Sequence, residues 1–182
     1  MRVTRLLQLV RNRRPVQRFS ERIPQPDAIE AILECARYAP SAREAQPWRF
    51  VVVQEALARH RIAQAAFNHP HLKTAPIIVV GCARIHSHVS GSGRSSFPMD
   101  IAAAVQTMAM AAADLGLQSS WIYGFRESDV RPVIGVPEDV PVVGLLGLGY
   151  PDGLSDLPER RPRGEVIAWD RWRTEDARRS LP

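Results

Sequence analysis

Apolar and polar residues fall into blocks that predict helices and buried strands in turn. Apolar residues recur at helical spacing in residues 27–38 and 55–67, and a shorter stripe of the same kind spans residues 3–10. Residues 127–134 also predict a short helix. Residues 100–115 are apolar on nearly every side, which predicts a central helix. Continuous apolar runs predict buried strands at residues 50–54, 77–82, 117–123 and 142–148.

The order of these elements and the chain length bound the architecture. Strands that alternate with helices favour an α/β fold by pattern alone, and 182 residues predict one domain with a sizeable core. Residues 151–182 are rich in proline and charge and too polar to form a core by themselves, so we expect them to wrap a partner. No apolar run reaches the length of a membrane span. The N-terminus has no secretory pattern, so a cytoplasmic protein without membrane contact is expected.

The cysteines, the arginines and the histidines indicate the compartment and the kind of ligand. Cys35 and Cys82 fall at predicted apolar positions, which indicates buried free thiols in a reducing compartment. The formal net charge is +5, nearly all of it from arginine, whose planar fork suits phosphate groups. The basic residues form no stripe interleaved with aromatic side chains, so nucleic acid is not an expected partner. The five histidines lie at residues 60–88 without a carboxylate or cysteine at a familiar spacing, so no metal site is expected.

The connection at residues 39–50 carries the strongest sign of function. It reads A-P-S-A-R-E-A-Q-P-W-R-F and joins a predicted helix to a predicted strand. Two prolines around small and polar residues predict a rigid, exposed loop on which Ser41 and Gln46 present a hydroxyl and an amide group. This arrangement suits a planar ligand that forms hydrogen bonds. The glycines at residues 144–149 superficially fit a dinucleotide fingerprint, but they lie inside an apolar strand that no helix follows, so we reject that motif.

Several motifs of the sequence resemble those of the flavin (FMN)-dependent nitroreductase family. Residues 39–50 resemble its signature A-P-S-x-x-N-x-Q-P-W-x-F. Residues 13–19, R-R-P-V-Q-R-F, resemble its R-R-S-x-R/K-x-F motif, and residues 160–167, R-R-P-R-G-E-V-I, resemble R-K-P-L-E-E-V-V. The F-N pair at residues 67–68 and the segment W-I-Y-G-F at residues 121–125 match two further family segments. All these matches occur in the family's order.

The resemblance implies an α+β fold in place of α/β, with a mixed, mostly antiparallel sheet sandwiched by helices. It also implies an intertwined homodimer, in which residues 151–182 wrap the partner subunit and residues 166–169 add a strand to the partner's sheet. The whole chain, residues 1–182, would then be one domain. The implied activity is that of an FMN-dependent oxidoreductase, which takes a hydride from NAD(P)H and reduces nitroaromatics, quinones or similar electron-poor acceptors by a ping-pong mechanism.

The same resemblance implies which residues would hold the flavin. It places Arg13 near the phosphate and the ribityl chain, Arg160 and Arg161 on the phosphate, and the loop at residues 40–46 against the flavin of the partner subunit. For Asn68 a helix C-cap is the plainer alternative, and for the arginines a solvated basic face. No catalytic residue and no metal ligand is assigned, since the flavin itself carries the chemistry. The implied cofactor-binding residues are Arg13, Arg14, Gln17, Pro40, Ser41, Gln46, Asn68, His71, Tyr123, Gly124, Arg160 and Arg161.

Three positions depart from the family pattern. Pro15 replaces a small hydroxyl residue, Gln17 replaces a basic residue and Glu44 replaces the asparagine of the signature. These changes motivate a second hypothesis, a flavin-binding sensor or storage protein without turnover. A specialised relative that performs dehalogenation or ring oxidation is a third. The sequence leaves open the physiological substrate and the choice between NADH and NADPH.

Overall fold

The computed structural model describes residues 4–14, 16–84, 93–153 and 156–172. In this part of the chain, helices and strands follow the order that the apolar pattern predicts. The additional elements are two short α-helices, α4 and α7, and one turn of 3-10 helix at Ala42–Glu44. The helices are α1 (Arg5–Asn12), α2 (Pro26–Arg37), α3 (Ala56–Ala65), α4 (Pro70–Thr74), α5 (Phe97–Asp114), α6 (Glu127–Ile134) and α7 (Arg163–Val166). The strands are β1 (Trp48–Val53), β2 (Ile77–Ala83), β3 (Gln118–Ile122) and β4 (Val142–Gly149).

The four strands form one sheet in the order β1-β2-β4-β3, and all three pairings are antiparallel. The α/β fold favoured by pattern alone is therefore wrong, because alternation along the chain does not fix the direction in which strands pair. The α+β fold is confirmed, with the described strands purely antiparallel rather than mixed. β2 and β4 lie in the middle, whereas β1 and β3 form the edges. An isolated bridge pairs Phe19 with Pro151 and ties the segment after α1 to the end of β4.

Alternate side chains of β2 enter two separate apolar cores. Ile78 and Val80 pack on one face with α3, α4 and α6, whereas Ile77 and Val79 pack on the other face with α2 and α5. Each of these four residues is at most 1% exposed. A strand that is covered on both faces has no polar side, which explains why its sequence is a continuous apolar run. The sheet thus separates two helical layers.

The central helix α5 packs on α2 and on the sheet. Its buried side chains include Ile101, Ala104 and Val105. The helix begins at Phe97, before the predicted start, because Pro98 fits the first turn, where the backbone N–H has no partner within the helix. Among the described residues, no helix has the length and apolar character needed to span a membrane.

Cys82 is buried as expected, but the expectation for Cys35 is wrong. Cys35 is exposed because the buried stripe of α2 runs through Ile29, Ile32 and Ala36, and Cys35 lies at its margin. Burial raises the pKa of the Cys82 thiol to about 11. Both cysteines are free thiols, so neither forms a disulfide within the chain.

The C-terminal segment is covered little by the rest of its own chain. Residues 156–172 are almost all exposed, and Trp169 and Trp172 are each 76% exposed. The one regular element of this segment is α7, a helix rather than a strand. A single chain offers no partner sheet, so the strand expected at residues 166–169, the wrapping of a partner and the extent of the domain stay predictions.

Candidate functional site

A cavity of about 250 Å³ lies against the edge strand β3, where α5 and the segment after α1 approach it. Its lining brings together three predicted site residues, Arg13, His71 and Tyr123, which are far apart in the sequence. Val105 and Leu146 contribute apolar walls. The cavity therefore combines a cation, an imidazole, an aromatic ring and apolar surface, a combination that suits a planar ligand with a charged end.

Two further polar residues line this cavity, Gln106 and Ser120, and neither was predicted from the sequence. Gln106 is the one amide side chain of α5, and this break in an apolar helix is a signal that could have identified it. Ser120 follows Ser119 in β3, and nothing in the local pattern distinguishes the two serines. The role of Ser120 depends on a contact from another part of the chain.

That contact comes from His71, the best-defined polar group of the cavity. Pro70 begins α4 at a position where proline is favoured, and His71 follows it in the first turn. Nδ1 of His71 lies 2.7 Å from Oγ of Ser120, which fixes the orientation of the imidazole. The ring of His69 lies edge-on with its centroid 4.8 Å away. Burial lowers the pKa of His71 and the neighbouring His69 lowers it further, so the neutral imidazole is favoured.

Asn68 takes part in a sharp chain reversal between α3 and α4. Its N–H donates to the carbonyl of Ala63 at 2.8 Å, and the N–H of Phe67 donates to the carbonyl of Gln64 at 3.0 Å. These are the paired bonds of the Schellman motif, so Asn68 takes part in the end of α3, although the C-cap itself is Ala66, two residues earlier. Both residues have positive φ angles, 54° for Phe67 and 57° for Asn68, which strain a residue with a side chain. Such strain clusters at functional sites, and the flavin contact of Asn68 stays a prediction.

Tyr123 and Gly124 come directly after β3. The ring of Tyr123 lies 4.5 Å from that of Trp121, and Tyr123 is 63% exposed. A Cβ atom at Gly124 would have no neighbour within 4 Å in the described part of the chain, so packing against these residues does not require glycine there. The backbone at Gly124 is thus open to close approach by a ligand.

The glycines at residues 144–149 have a packing role instead of a phosphate-binding one. They lie in β4, and no helix follows that strand directly. A side chain at Gly144 would collide with the indole of Trp121, and one at Gly149 would collide with the ring of Pro76. These glycines therefore do not form a dinucleotide fingerprint.

The loop at residues 40–46 lies at the start of α5 and does not line the cavity. The N–H of Ala42 donates to Oδ1 of Asp100 at 2.9 Å, and the N–H of Gln46 donates to Oγ of Ser41 at 3.0 Å. Three residues of the loop have positive φ angles between 45° and 56°, so these bonds hold it in a strained conformation. The resemblance assigns this loop to the flavin of a partner subunit. Its separation from the cavity of its own chain is consistent with that prediction.

The remaining predicted residues do not line the cavity either. Gln17 is exposed, and Arg160 and Arg161 are exposed in the segment before α7. Arg14 is partly buried. Pro15, one of the departures from the family pattern, lies outside the described residues. The contacts of these residues with a cofactor stay predictions.

Two larger cavities elsewhere fit a flavin less well. One of about 700 Å³ lies between α2 and the edge strand β1, and Asp27, Glu30 and Glu34 line it with the wrong charge for a phosphate. The other, of about 440 Å³, has three basic side chains but one aromatic ring, that of Phe19, which is only 3% exposed. Of these three cavities, the one beside β3 joins a cation to the most exposed aromatic ring, that of Tyr123.

The residues beside β3 fit a flavin, but the enclosure of one chain is small. Its volume of about 250 Å³ lies below the roughly 300–1,000 Å³ of small-molecule sites, so a second chain would have to supply further walls. Arg13 offers a forked cation for a phosphate, Tyr123 an aromatic surface, and His71 and Gln106 polar groups for a ring edge.

Within the described residues, no three metal-ligating side chains cluster, and two of the five histidines lie at residues 85–92, outside them.

Comparison with known proteins identifies the family. The model of the Nitroreductase family matches residues 10–71 and 59–150. The chain is 30% identical over 161 residues to a predicted NADH dehydrogenase/NAD(P)H nitroreductase of Archaeoglobus fulgidus, covering 86% of this chain and 91% of that protein. It is 29% identical over 189 residues to an NADH dehydrogenase of Thermus thermophilus, covering 86% of this chain and 92% of that protein.

A solved structure supports the same assignment at the level of the fold. The FMN-dependent nitroreductase of Clostridium difficile R20291 superposes with a TM-score of 0.78 at 20% sequence identity, covering 90% of this chain and 98% of that chain. The family match spans well over half of the sequence and includes the segments that carry Arg13, His71 and Tyr123. The chain therefore belongs to the nitroreductase family of oxidoreductases.

Proposed function

We propose that this protein is an FMN-dependent oxidoreductase that uses NAD(P)H to reduce nitroaromatics, quinones or similar electron-poor acceptors by a ping-pong mechanism. The observation that carries the proposal is the cavity beside β3, which joins Arg13, His71 and Tyr123 in a chain of the nitroreductase family. The A. fulgidus relative, whose name includes NAD(P)H nitroreductase, and the fold neighbour named as FMN-dependent support it.

Five residues of the cavity have a defined task in this proposal. Arg13 binds the phosphate through charge-assisted hydrogen bonds. Trp121 and Tyr123 pack against the ring and exclude water from it, while Nε2 of His71 and the amide of Gln106 hydrogen-bond its polar edge. A bound flavin supplies the hydride transfer. The chain therefore needs no dedicated acid or base.

The proposal includes a homodimer that completes the site. The cavity of one chain is small, and the loop at residues 40–46, Arg160 and Arg161 lie outside its lining. Trp169 and Trp172 are each 76% exposed, and large apolar groups exposed together mark an interaction surface. Wrapping the C-terminal extension around a second chain would cover these rings and carry the two arginines to a phosphate.

A cytoplasmic location is proposed with this function. Cys35 is an exposed free thiol and Cys82 a buried one. Free thiols persist in reducing compartments, whereas secreted proteins tend to pair theirs in disulfides.

The visible absorption spectrum of the purified protein tests the proposed function. We expect a yellow protein that bleaches on anaerobic addition of NADH or NADPH and regains its colour when a nitroaromatic or a quinone is added. A flavin-loaded protein that neither nucleotide bleaches would favour the sensor or storage hypothesis. Bleaching without return of colour on either acceptor would favour a specialised relative. A colourless protein that takes up no added FMN would refute the proposal.

Arginine variants test the phosphate contact in particular. A hydrogen bond to a charged group is worth about 1.5–3 kcal/mol, so Arg160→Ala or Arg161→Ala should each weaken FMN binding roughly tenfold or more. Riboflavin, which lacks the phosphate, should lose much less affinity. Arg61→Ala, at an exposed position of α3, is the matched control and should bind FMN as the parent does. Equal losses for FMN and riboflavin would place the two arginines away from the phosphate.

A further inference from the structure

In the cavity beside β3, the described part of the chain leaves one titratable ring nitrogen without a hydrogen-bond partner. Nδ1 of His71 is held by Oγ of Ser120 at 2.7 Å, so Nε2 is the ring nitrogen available to a ligand. Among the described residues Nε2 has no hydrogen-bond partner, and the side chain of His71 lines the cavity. The imidazole is therefore oriented on one side and exposed to the ligand space on the other.

The groups around this imidazole leave a proton on it without a counter-ion. Arg13 reaches the cavity from the segment after α1, and Tyr123 from the end of β3. Gln106 of α5 is neutral, and His69 lies against the ring of His71. No carboxylate lines the cavity within the described part of the chain. Burial and His69 accordingly lower the pKa of His71 and keep it neutral near pH 7.

We propose that Nε2 of His71 takes up one solvent proton when a bound flavin ring gains two electrons, which gives the cofactor potential an added dependence on pH. This inference rests on the proposed function. The hydride of a reduced nicotinamide carries two electrons and one proton to the ring and leaves the nicotinamide oxidised. The ring then bears one net negative charge. The balancing proton comes from water and forms the Nε2–H bond of the imidazolium.

His71 should take up this proton for an electrostatic reason. A negative charge next to an imidazole favours the protonated imidazole, and the effect is strong where water is excluded. Arg13 cannot respond in this way because its guanidinium stays charged at every relevant pH. Gln17, which stands where the family pattern has a basic residue, carries no charge. His71 is thus the group of the cavity whose charge can follow the charge of the ring near neutral pH.

Proton uptake by His71 would make the midpoint potential of the flavin depend more steeply on pH. Uptake of one extra proton with two electrons changes the equilibrium tenfold per pH unit, which corresponds to about 30 mV for a two-electron couple. The potential of the wild-type protein should therefore fall more steeply with pH, by about 30 mV per unit, than that of a variant without the imidazole. The steeper interval should begin near the pKa of His71 in the oxidised protein and end near its pKa in the reduced protein.

The experiment is an anaerobic potential titration of the flavin-loaded protein at a series of pH values. His71→Gln keeps a polar group but cannot titrate, and it should lose the added slope. His71→Lys carries a fixed charge, and it should show no added slope and a higher potential than wild type at alkaline pH. His60→Gln is the matched control, because His60 lies on the exposed face of α3 beside Gln64, and it should keep the wild-type slope.

The outcomes separate this inference from the function on which it rests. Flavin-loaded His71→Gln protein with the wild-type slope would overturn the inference and leave the proposed function intact. The same slope in wild type and in His71→Lys would overturn it as well, if His71→Gln should fail to fold. A wild-type protein that takes up no FMN, as its absorption spectrum would show, would overturn both. Loss of slope confined to the two His71 variants would support the inference.

Discussion

Replacing Asp100 with alanine should release the loop at residues 40–46 from the body of the protein. Asp100 lies in the first turn of α5 and is only 6% exposed. Its Oδ1 accepts a hydrogen bond from the N–H of Ala42 at 2.9 Å, and this bond joins the loop to α5. A negative group near the start of a helix is also favoured by the helix dipole. One side chain thus holds a strained loop against the central helix.

The expected cost follows from these contacts. A hydrogen bond to a charged group contributes about 1.5–3 kcal/mol. The second oxygen, Oδ2, is buried and has no partner among the described residues, which offsets part of that gain. We therefore take the lower end, a loss of about 1.5 kcal/mol for Asp100→Ala. For a domain of this size each kcal/mol corresponds to roughly 2–4 °C, so Tm should fall by about 3–6 °C.

Thermal denaturation together with amide hydrogen exchange tests this prediction. The amide of Ala42 should lose protection in Asp100→Ala, and Asp100→Asn, which keeps an acceptor oxygen, should restore part of it. Asp114→Ala is the matched control on the same helix, because the ion pair of Asp114 with Arg5 is exposed and its loss should change stability by no more than about 0.5 kcal/mol. The assigned role of Asp100 is wrong if Asp100→Ala has the same Tm as Asp114→Ala and its Ala42 amide exchanges at the wild-type rate.

Three further predictions concern other parts of the chain. Cys35 should react with a thiol reagent in the native protein at neutral pH. Cys82 should react only after unfolding, because it is buried and its pKa is raised to about 11. Mass spectrometry of the labelled chain would show which thiol has reacted. Deleting the residues after Pro151 should give a monomeric, colourless protein; a truncated protein that sediments as a yellow dimer would contradict the proposed wrapping. Gln17→Arg should raise the flavin midpoint potential by supplying a cation, and an unchanged or lower potential in redox titration would remove Gln17 from the site.

The helices and strands could be predicted because burial produces a recognisable pattern of apolar residues in the sequence. The continuous apolar run of β2 and the stripe of α2 each report how many faces are covered. The pairing of the strands leaves no such trace. Ile78 pairs with Gly147 across the sheet, and no local feature of either segment encodes that register or its antiparallel direction. The α/β expectation failed at this step, and the family resemblance, which draws on complete folds, corrected it.

The candidate site could be predicted only as far as motifs reach. Arg13, His71 and Tyr123 belong to segments that resemble family motifs, and the structure brings them together. Ser120 could not be found in this way, because its role is a 2.7 Å contact with His71, which is 49 residues away. Gln106 left a weak trace as a polar break in an apolar helix. Contacts between distant elements are decided by the fold, and a single sequence does not display them.

The interior of the sheet also determines the shape of the cavity at its edge. Trp121 of β3 places its indole over Gly144 of the neighbouring strand β4, where any side chain would collide with it. The indole then supports the ring of Tyr123 at 4.5 Å, and both rings line the cavity. Nε1 of Trp121 is buried without a hydrogen-bond partner in the described chain, which costs about 1–3 kcal/mol and has to be offset by the packing of the indole. Gly144 therefore matters because β3 pairs with β4, and the aromatic wall of the cavity follows from that pairing rather than from any motif in either strand.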